Sequence, residues 1–129
     1  MQIINLGEQN SVLNQYIIEI RDQIVQKDSL RFRKNLERIG SFIACEISKT
    51  LEYTPLEVTT PLGIAQTSTY DNNIVIASIL RAGIPLHDGI LNIFDRAQNA
   101  SIGAYRKYGK DNTFNIEVEY ARSPKIHGK

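Results

Sequence analysis

The residues whose types and spacing could do chemistry stand in one short run, Ile79-Leu80-Arg81-Ala82-Gly83. An apolar strand, Ile74 to Leu80, leads into it and a helix follows, so one guanidinium and several backbone N–H groups converge at a helix N-terminus. A phosphate group suits such a point. Arg offers a planar fork that makes two parallel bonds to phosphate oxygens, and Gly83 lets the backbone approach an anion with no side chain between. On local grounds alone an Arg in such a turn is more often a solvated or salt-bridged surface residue, so the anion cradle stands here beside that plainer reading.

The surrounding elements must hold that turn. Ile74 to Leu80 shows little alternation and is rich in Ile and Val, which predicts a strand covered on both faces within a parallel sheet. After Gly83, Pro85 fits a first helical turn, Asp88 favours the positive helix end, and Ile90, Leu91 and Phe94 supply a buried face. A strand from about Ala100 to Tyr108 completes a strand-helix-strand unit. Gly109-Lys110-Asp111-Asn112 then predicts a turn into Phe114 to Tyr120, with Phe114, Ile116, Val118 and Tyr120 on one side of a half-exposed hairpin arm.

Upstream, Ser11 caps a helix with apolar positions Val12, Tyr16, Ile17 and Ile20 that closes at Arg21-Asp22. A longer helix starts near Asp28-Ser29 and carries Phe32, Leu36, Ile39, Ile43 and Ile47 at steps of three and four. Thr54-Pro55 ends the helical region. Glu57 to Thr60 and Ile64 to Thr69 read as short extended pieces around Pro61-Leu62-Gly63, and Asp71-Asn72-Asn73 as a further turn. The stretch Ser123 to Lys129 reads as a connection, so the chain is expected to stop within its fold.

With 129 residues, 42% of them hydrophobic, the chain is sized for one domain spanning 1–129. A net charge of +1 gives no bulk attraction for nucleic acid or an anionic membrane. One cysteine, Cys45, forms no internal disulfide, Met1 to Asn10 lacks a signal-peptide pattern, and no apolar run nears the roughly 18 residues of a membrane span. A cytoplasmic protein is expected.

Other reactive types carry less. His87 beside Asp88 is conceivable as a general acid, but a structural histidine at a helix end is the better expectation. His127, His87 and Cys45 make no metal-ligand spacing. Cys45 shares a helix side with Arg31, Lys34 and Arg38 and is expected to be inert. Arg31, Arg33, Lys34 and Arg38 are expected to form a solvated face rather than an RNA stripe, since Glu37 interrupts them. Glu117 and Glu119 resemble a hydrolase pair but are expected to be solubilising charges on a strand edge.

Arg21-Asp22, Phe32-Arg33, Glu46, Thr60-Pro61-Leu62-Gly63, Ile79-Leu80-Arg81-Ala82-Gly83, Asp88-Gly89 and Tyr105-Arg106 occur in this order across the whole chain. With that set the sequence resembles the uracil phosphoribosyltransferase family of pyrimidine salvage. The resemblance implies an α/β fold of the type I phosphoribosyltransferase kind: a parallel sheet with flanking helices, N-terminal helices and a β-hairpin arm. It implies transfer of a phosphoribosyl group from 5-phosphoribosyl 1-diphosphate to uracil, with Mg2+ bound on the substrate. Residues of the diphosphate site would be Arg81, Ala82, Gly83 and, by resemblance alone, Arg106; no catalytic residue and no protein metal ligand is assigned. Related turns carry a non-proline cis peptide, expected here between Ser78 and Gly83.

Family members continue into an Asp-x-Met-Leu-Ala-Thr-Gly loop for the ribose 5-phosphate and a Gly- and Pro-rich loop that reads uracil. Neither motif occurs in these residues. The C-terminal part of the fold is therefore expected to be missing, and the chain to be an inactive piece of a longer active parent. A homodimer or higher homo-oligomer is expected, from the arm and the small-residue pair Asp88-Gly89 as well as the family, with GTP as a possible effector. The competing class is a non-catalytic phosphate-binding or dimerisation module of the same fold; a regulator that binds nucleotide and RNA comes third.

Overall fold

Both N-terminal helices begin at side-chain caps. In the computed structural model, which describes residues 3–108 and 114–125, helix α1 runs Val12–Arg21 and helix α2 runs Ser29–Ser48. Ser11 Oγ accepts from the Leu13 N–H at 3.3 Å, and Asp28 Oδ1 accepts from Leu30 and Arg31 at 3.1 and 3.0 Å. Each cap satisfies amides that a helix start leaves unpaired. None of the described helices is long and apolar enough to cross a membrane.

A polar hub joins the two helices. Arg31 grips Glu19 with Nε and Nη2 at 2.8 and 3.0 Å, Asn35 Nδ2 donates to Glu19 at 2.6 Å, and Gln15 adds a bond at 3.2 Å. The Arg31 bonds, followed by those of Asn35 and Gln15, hold the Glu19 carboxyl down to about 2. Asn35 is fully buried, its Oδ1 accepts from Arg38 at 3.0 Å, and Arg38 lies over the Tyr16 ring at 5.1 Å. Hydrophobic periodicity marks Phe32, Leu36, Ile39, Ile43 and Ile47 on α2, yet its buried residues are Asn35, Gly40 and Ala44.

Asn35 is held by the polar hub and Ala44 packs with Ile76 and Phe94, while Gly40 is buried by a close crossing with helix α3, Ile84–Leu91. A Cβ on Gly89 would run into the Glu37 carbonyl oxygen, one on Gly40 into the Leu86 carbonyl, and Ser41 Oγ donates to the Gly89 carbonyl at 2.8 Å. Gly89 is therefore occupied inside the molecule. The small-residue pair Asp88-Gly89 accordingly gives no support to self-association.

Strands β1, Tyr53–Thr60, and β2, Gly63–Tyr70, form an antiparallel hairpin by themselves. Its two-residue turn places Gly63 at φ 127°, a conformation L side chains rarely adopt. Pro55 lies inside β1 rather than ahead of it, opposite Ser68. A two-stranded sheet has two free edges, so a proline there costs no ladder bond.

A second sheet has the order β3-β4-β5, with β3 Val75–Leu80, β4 Gln98–Tyr108 and β5 Phe114–Arg122. β3 and β4 are parallel, from Val75 opposite Gln98 to Leu80 opposite Gly103, and β4 and β5 are antiparallel. The core beneath it gathers Ala44, Ile76 and Phe94, with Tyr70 set edge-on to Phe94 at 6.0 Å. The expected turn at Gly109-Lys110-Asp111-Asn112, and His127, lie outside the described residues.

Coverage of β3 differs from expectation. Ile76 and Ser78 are buried, whereas Ala77 is exposed and Ile79 is 62% exposed, so among the described residues the strand is covered on one face. The accessible surface is 10598 Å², against roughly 6900 Å² for a compact monomer of this mass. Large apolar side chains contribute to it, among them Ile79 on β3, Val58 and Ile64 on the first hairpin, and Ile116 and Val118 on the second.

Candidate functional site

The parallel register of β3 and β4 sets the geometry of the site. β3 ends at Leu80 opposite Gly103 while β4 runs on to Tyr108, so the turn after β3 stands at the carboxyl end of the parallel pair, where ligands of parallel α/β sheets bind. There the Gly83 N–H donates to the Ile79 carbonyl at 3.0 Å, Ile84 N–H to the Arg81 carbonyl at 3.2 Å, and His87 N–H to the Gly83 carbonyl at 3.0 Å. Those bonds turn the chain from β3 into α3. Arg81 and Ala82 are exposed on the turn, and the Leu80–Arg81 peptide is cis, within the segment expected. Among the described residues Ala82 N–H has no acceptor, so it is available beside Arg81.

Gly83 has ordinary helical dihedrals, φ −73° and ψ −13°. Its requirement is space. A Cβ would stand 2.7 Å from the Ile79 carbonyl oxygen and 2.7 Å from Ser78 Oγ, so a side chain collides with the floor of the turn whether or not an anion lies above.

Arg106 lies farther along β4, about 10 Å of strand beyond Gly103, opposite Ile116 of β5. Strand alternation after the irregularity at Gly103/Ala104 puts Arg106 on the face away from Tyr105 and Lys107. Tyr105 Oη and Lys107 Nζ both donate to Glu117, at 2.7 and 2.8 Å. The bond to Glu117 raises the Tyr105 phenol, and the bonds from Lys107 and Tyr105 lower the Glu117 carboxyl. Glu117 thus serves the hairpin, as expected of a strand-edge charge. Arg81-Ala82-Gly83 thus stand on the turn after β3, and Arg106 on the part of β4 that extends past the end of β3 and pairs with β5.

His87 Nε2 lies 2.7 Å from Asn99 Oδ1 on β4, tying the first turn of α3 to the sheet, as a structural histidine would. Arg31 pairs with Glu19, Lys34 with Glu37 at 2.6 Å, and Arg38 with Asn35, so three of the four cations of the expected solvated face are held within the molecule. Cys45 is an exposed free thiol. A cleft of about 480 Å³ lies elsewhere, between the N-terminal segment and helices α1 and α2, walled by Ile4, Leu13, Ile17, Ile39, Ile43 and Ile47. Its lining is mostly apolar and contains no Arg or Lys, while Glu46 puts a carboxylate there, so it does not suit a phosphate. Ser78 and Asn99 were not legible as parts of the site; the only signal in the sequence is a polar residue breaking an otherwise apolar strand.

The family model described as uracil phosphoribosyltransferase matches residues 8–127. A curated uracil phosphoribosyltransferase from Porphyromonas gingivalis is 48% identical over 129 residues, covering all of this chain and 60% of that protein. Those from Pyrococcus furiosus and Thermococcus gammatolerans are 36% and 33% identical over 86% and 92% of this chain, and 49% and 52% of theirs. A solved structure from Aquifex aeolicus superposes with a TM-score of 0.78 at 24% identity, over 94% of this chain and 56% of that one, which shows the fold. The chain thus spans between about half and 60% of the length of these curated relatives. With the expected α/β architecture in place and the family model matching nearly end to end, the chain belongs to the uracil phosphoribosyltransferase family.

Proposed function

We propose that this protein transfers the phosphoribosyl group of 5-phosphoribosyl 1-diphosphate to uracil, giving uridine monophosphate and pyrophosphate, and that the residues described here supply the diphosphate-binding half. The observation that carries the reading is the Arg81-Ala82-Gly83 turn at the carboxyl end of a parallel strand, within a chain of this family. As the anomeric C–O bond breaks, positive charge builds on the sugar and negative charge on the departing pyrophosphate. Arg81 and the Ala82 amide are the donors the turn offers to that charge, and donors held in place need little reorganisation as the reaction proceeds. Arg106, on the extension of β4 past the end of β3, would add a second cation to the diphosphate.

Magnesium belongs to the substrate in this proposal. No three His, Cys, Asp or Glu side chains gather among the described residues, so the ion would enter on the diphosphate's own oxygens and retained waters. Self-association is supported by exposed apolar residues that share a face on each hairpin, Leu56 and Val58 on one and Ile116 and Val118 on the other. A cytoplasmic setting fits the free Cys45. GTP as an effector rests on family resemblance alone.

The test is a product assay on the intact protein with 5-phosphoribosyl 1-diphosphate, magnesium and each of uracil, cytosine and adenine. Uridine monophosphate from uracil alone is the expected result. Pyrophosphate binding with no nucleotide formed from any base would favour the non-catalytic module.

A further inference from the structure

One polar side chain interrupts the covered face of β3. Ser78 follows Ile76 on that face, is 7% exposed, and its Oγ has no hydrogen-bond partner among the described residues. Packing gives no reason for it, because an alanine would fill the place without burying an unpaired hydroxyl. Its location does. The point where a Gly83 Cβ would stand is 2.7 Å from Ser78 Oγ and equally close to the Ile79 carbonyl oxygen, so the hydroxyl lies directly beneath the Arg81–Gly83 backbone. Ile79 O accepts the Gly83 N–H at 3.0 Å, and a carbonyl oxygen has two lone pairs. At the far side of the turn, the His87–Asn99 bond pins the first turn of α3 to β4. The floor is the part still to be fixed.

We propose that Ser78 is a positioning residue for the diphosphate turn: with a diphosphate seated on Arg81 and the turn amides, its hydroxyl donates to the Ile79 carbonyl and braces the backbone from below. This rests on the reading of Arg81-Ala82-Gly83 as the diphosphate site. A bond that forms more fully in the occupied turn adds to affinity by that difference, while its loss leaves the fold intact.

Calorimetric titration of the intact protein with magnesium pyrophosphate, alongside thermal melts, tests the idea on Ser78→Ala and Ser78→Cys. Ser78→Ala is expected to bind about 5- to 10-fold more weakly with a melting temperature equal to or above that of the unmodified protein. Ser78→Cys, similar in size and a weak donor, is expected to fall between them. Arg81→Ala separates the two claims. If Arg81→Ala loses pyrophosphate binding while Ser78→Ala binds within about twofold of the unmodified protein, the Ser78 role is overturned and the diphosphate site stands. If Arg81→Ala binds undiminished, the site reading falls and the Ser78 role falls with it.

Discussion

Replacing Gly83 by alanine tests the turn as a mechanical object. The added methyl would stand 2.7 Å from the Ile79 carbonyl oxygen and from Ser78 Oγ, about 0.7 Å inside ordinary contact distance. The serine can rotate away, but the carbonyl is backbone and also accepts the Gly83 N–H at 3.0 Å. Relief therefore requires the turn to lift, stretching that bond and carrying the Arg81 and Ala82 donors with it. Overpacking of this kind costs about 1–3 kcal/mol, and a weakened hydrogen bond up to about 1 more. Denaturant melts should show a loss in that range, because β3 and α3 themselves remain packed. Binding should suffer more, since donors displaced by even half an ångström lose their alignment on the anion, and a pyrophosphate affinity at least about tenfold weaker is expected. A Gly83→Ala protein with unchanged affinity and unchanged stability would show that the floor is not rigid, and the account of this glycine would fail.

Arg81→Ala should lower diphosphate-dependent turnover by about 2–4 kcal/mol, and Arg81→Lys should recover only part of it, because a point charge does not reproduce a planar fork; steady-state kinetics with 5-phosphoribosyl 1-diphosphate varied would check both. Gly89→Ala should cost more than about 3 kcal/mol in chemical denaturation, because a Cβ there overlaps the Glu37 carbonyl and forces α2 and α3 apart. Glu19 supplies a pH dependence of known sign. Its carboxyl falls from 4.5 when free to about 2 when folded, so its stabilising contribution is fully present above 4.5 and drains away as pH falls toward 2. Glu19→Gln should flatten the stability profile in that window while leaving the slope above pH 5 as it was, and an unaltered acid limb would contradict the hub.

Local signals carried much of the fold. Ser11 and Asp28 bond the amides their positions imply, and the apolar strand, the Arg81 turn and the helix after it stand in the expected order. Signals failed where partners were distant in sequence. Asn35 is buried because Glu19 and Arg38 satisfy it, a pairing across two helices that hydrophobic spacing on α2 has no means to express. Gly40 and Gly89 are each unremarkable alone, and their meaning lies in one helix crossing another. Pro55 was legible as the end of the helical region, but not as a residue inside β1, which the free edge of a two-stranded hairpin admits. For the site, the run Ile79 to Gly83 was legible as a strand-to-helix turn carrying one Arg, and its reading as a diphosphate site leaned on family resemblance. The proposed role of Arg106 rests on family resemblance, and that of Ser78 needed coordinates, since a serine in an apolar strand looks like noise until Gly83 is seen resting above it.

The most direct measurement is a crystal structure of the intact protein with magnesium and 5-phosphoribosyl 1-diphosphate bound. The diphosphate should lie at the carboxyl edge of β3 and β4, its oxygens within hydrogen-bond distance of the Arg81 guanidinium and the Ala82 amide, with Arg106 reaching it from the arm. Diphosphate density anywhere else, with Arg81 turned to solvent, would contradict the central claim.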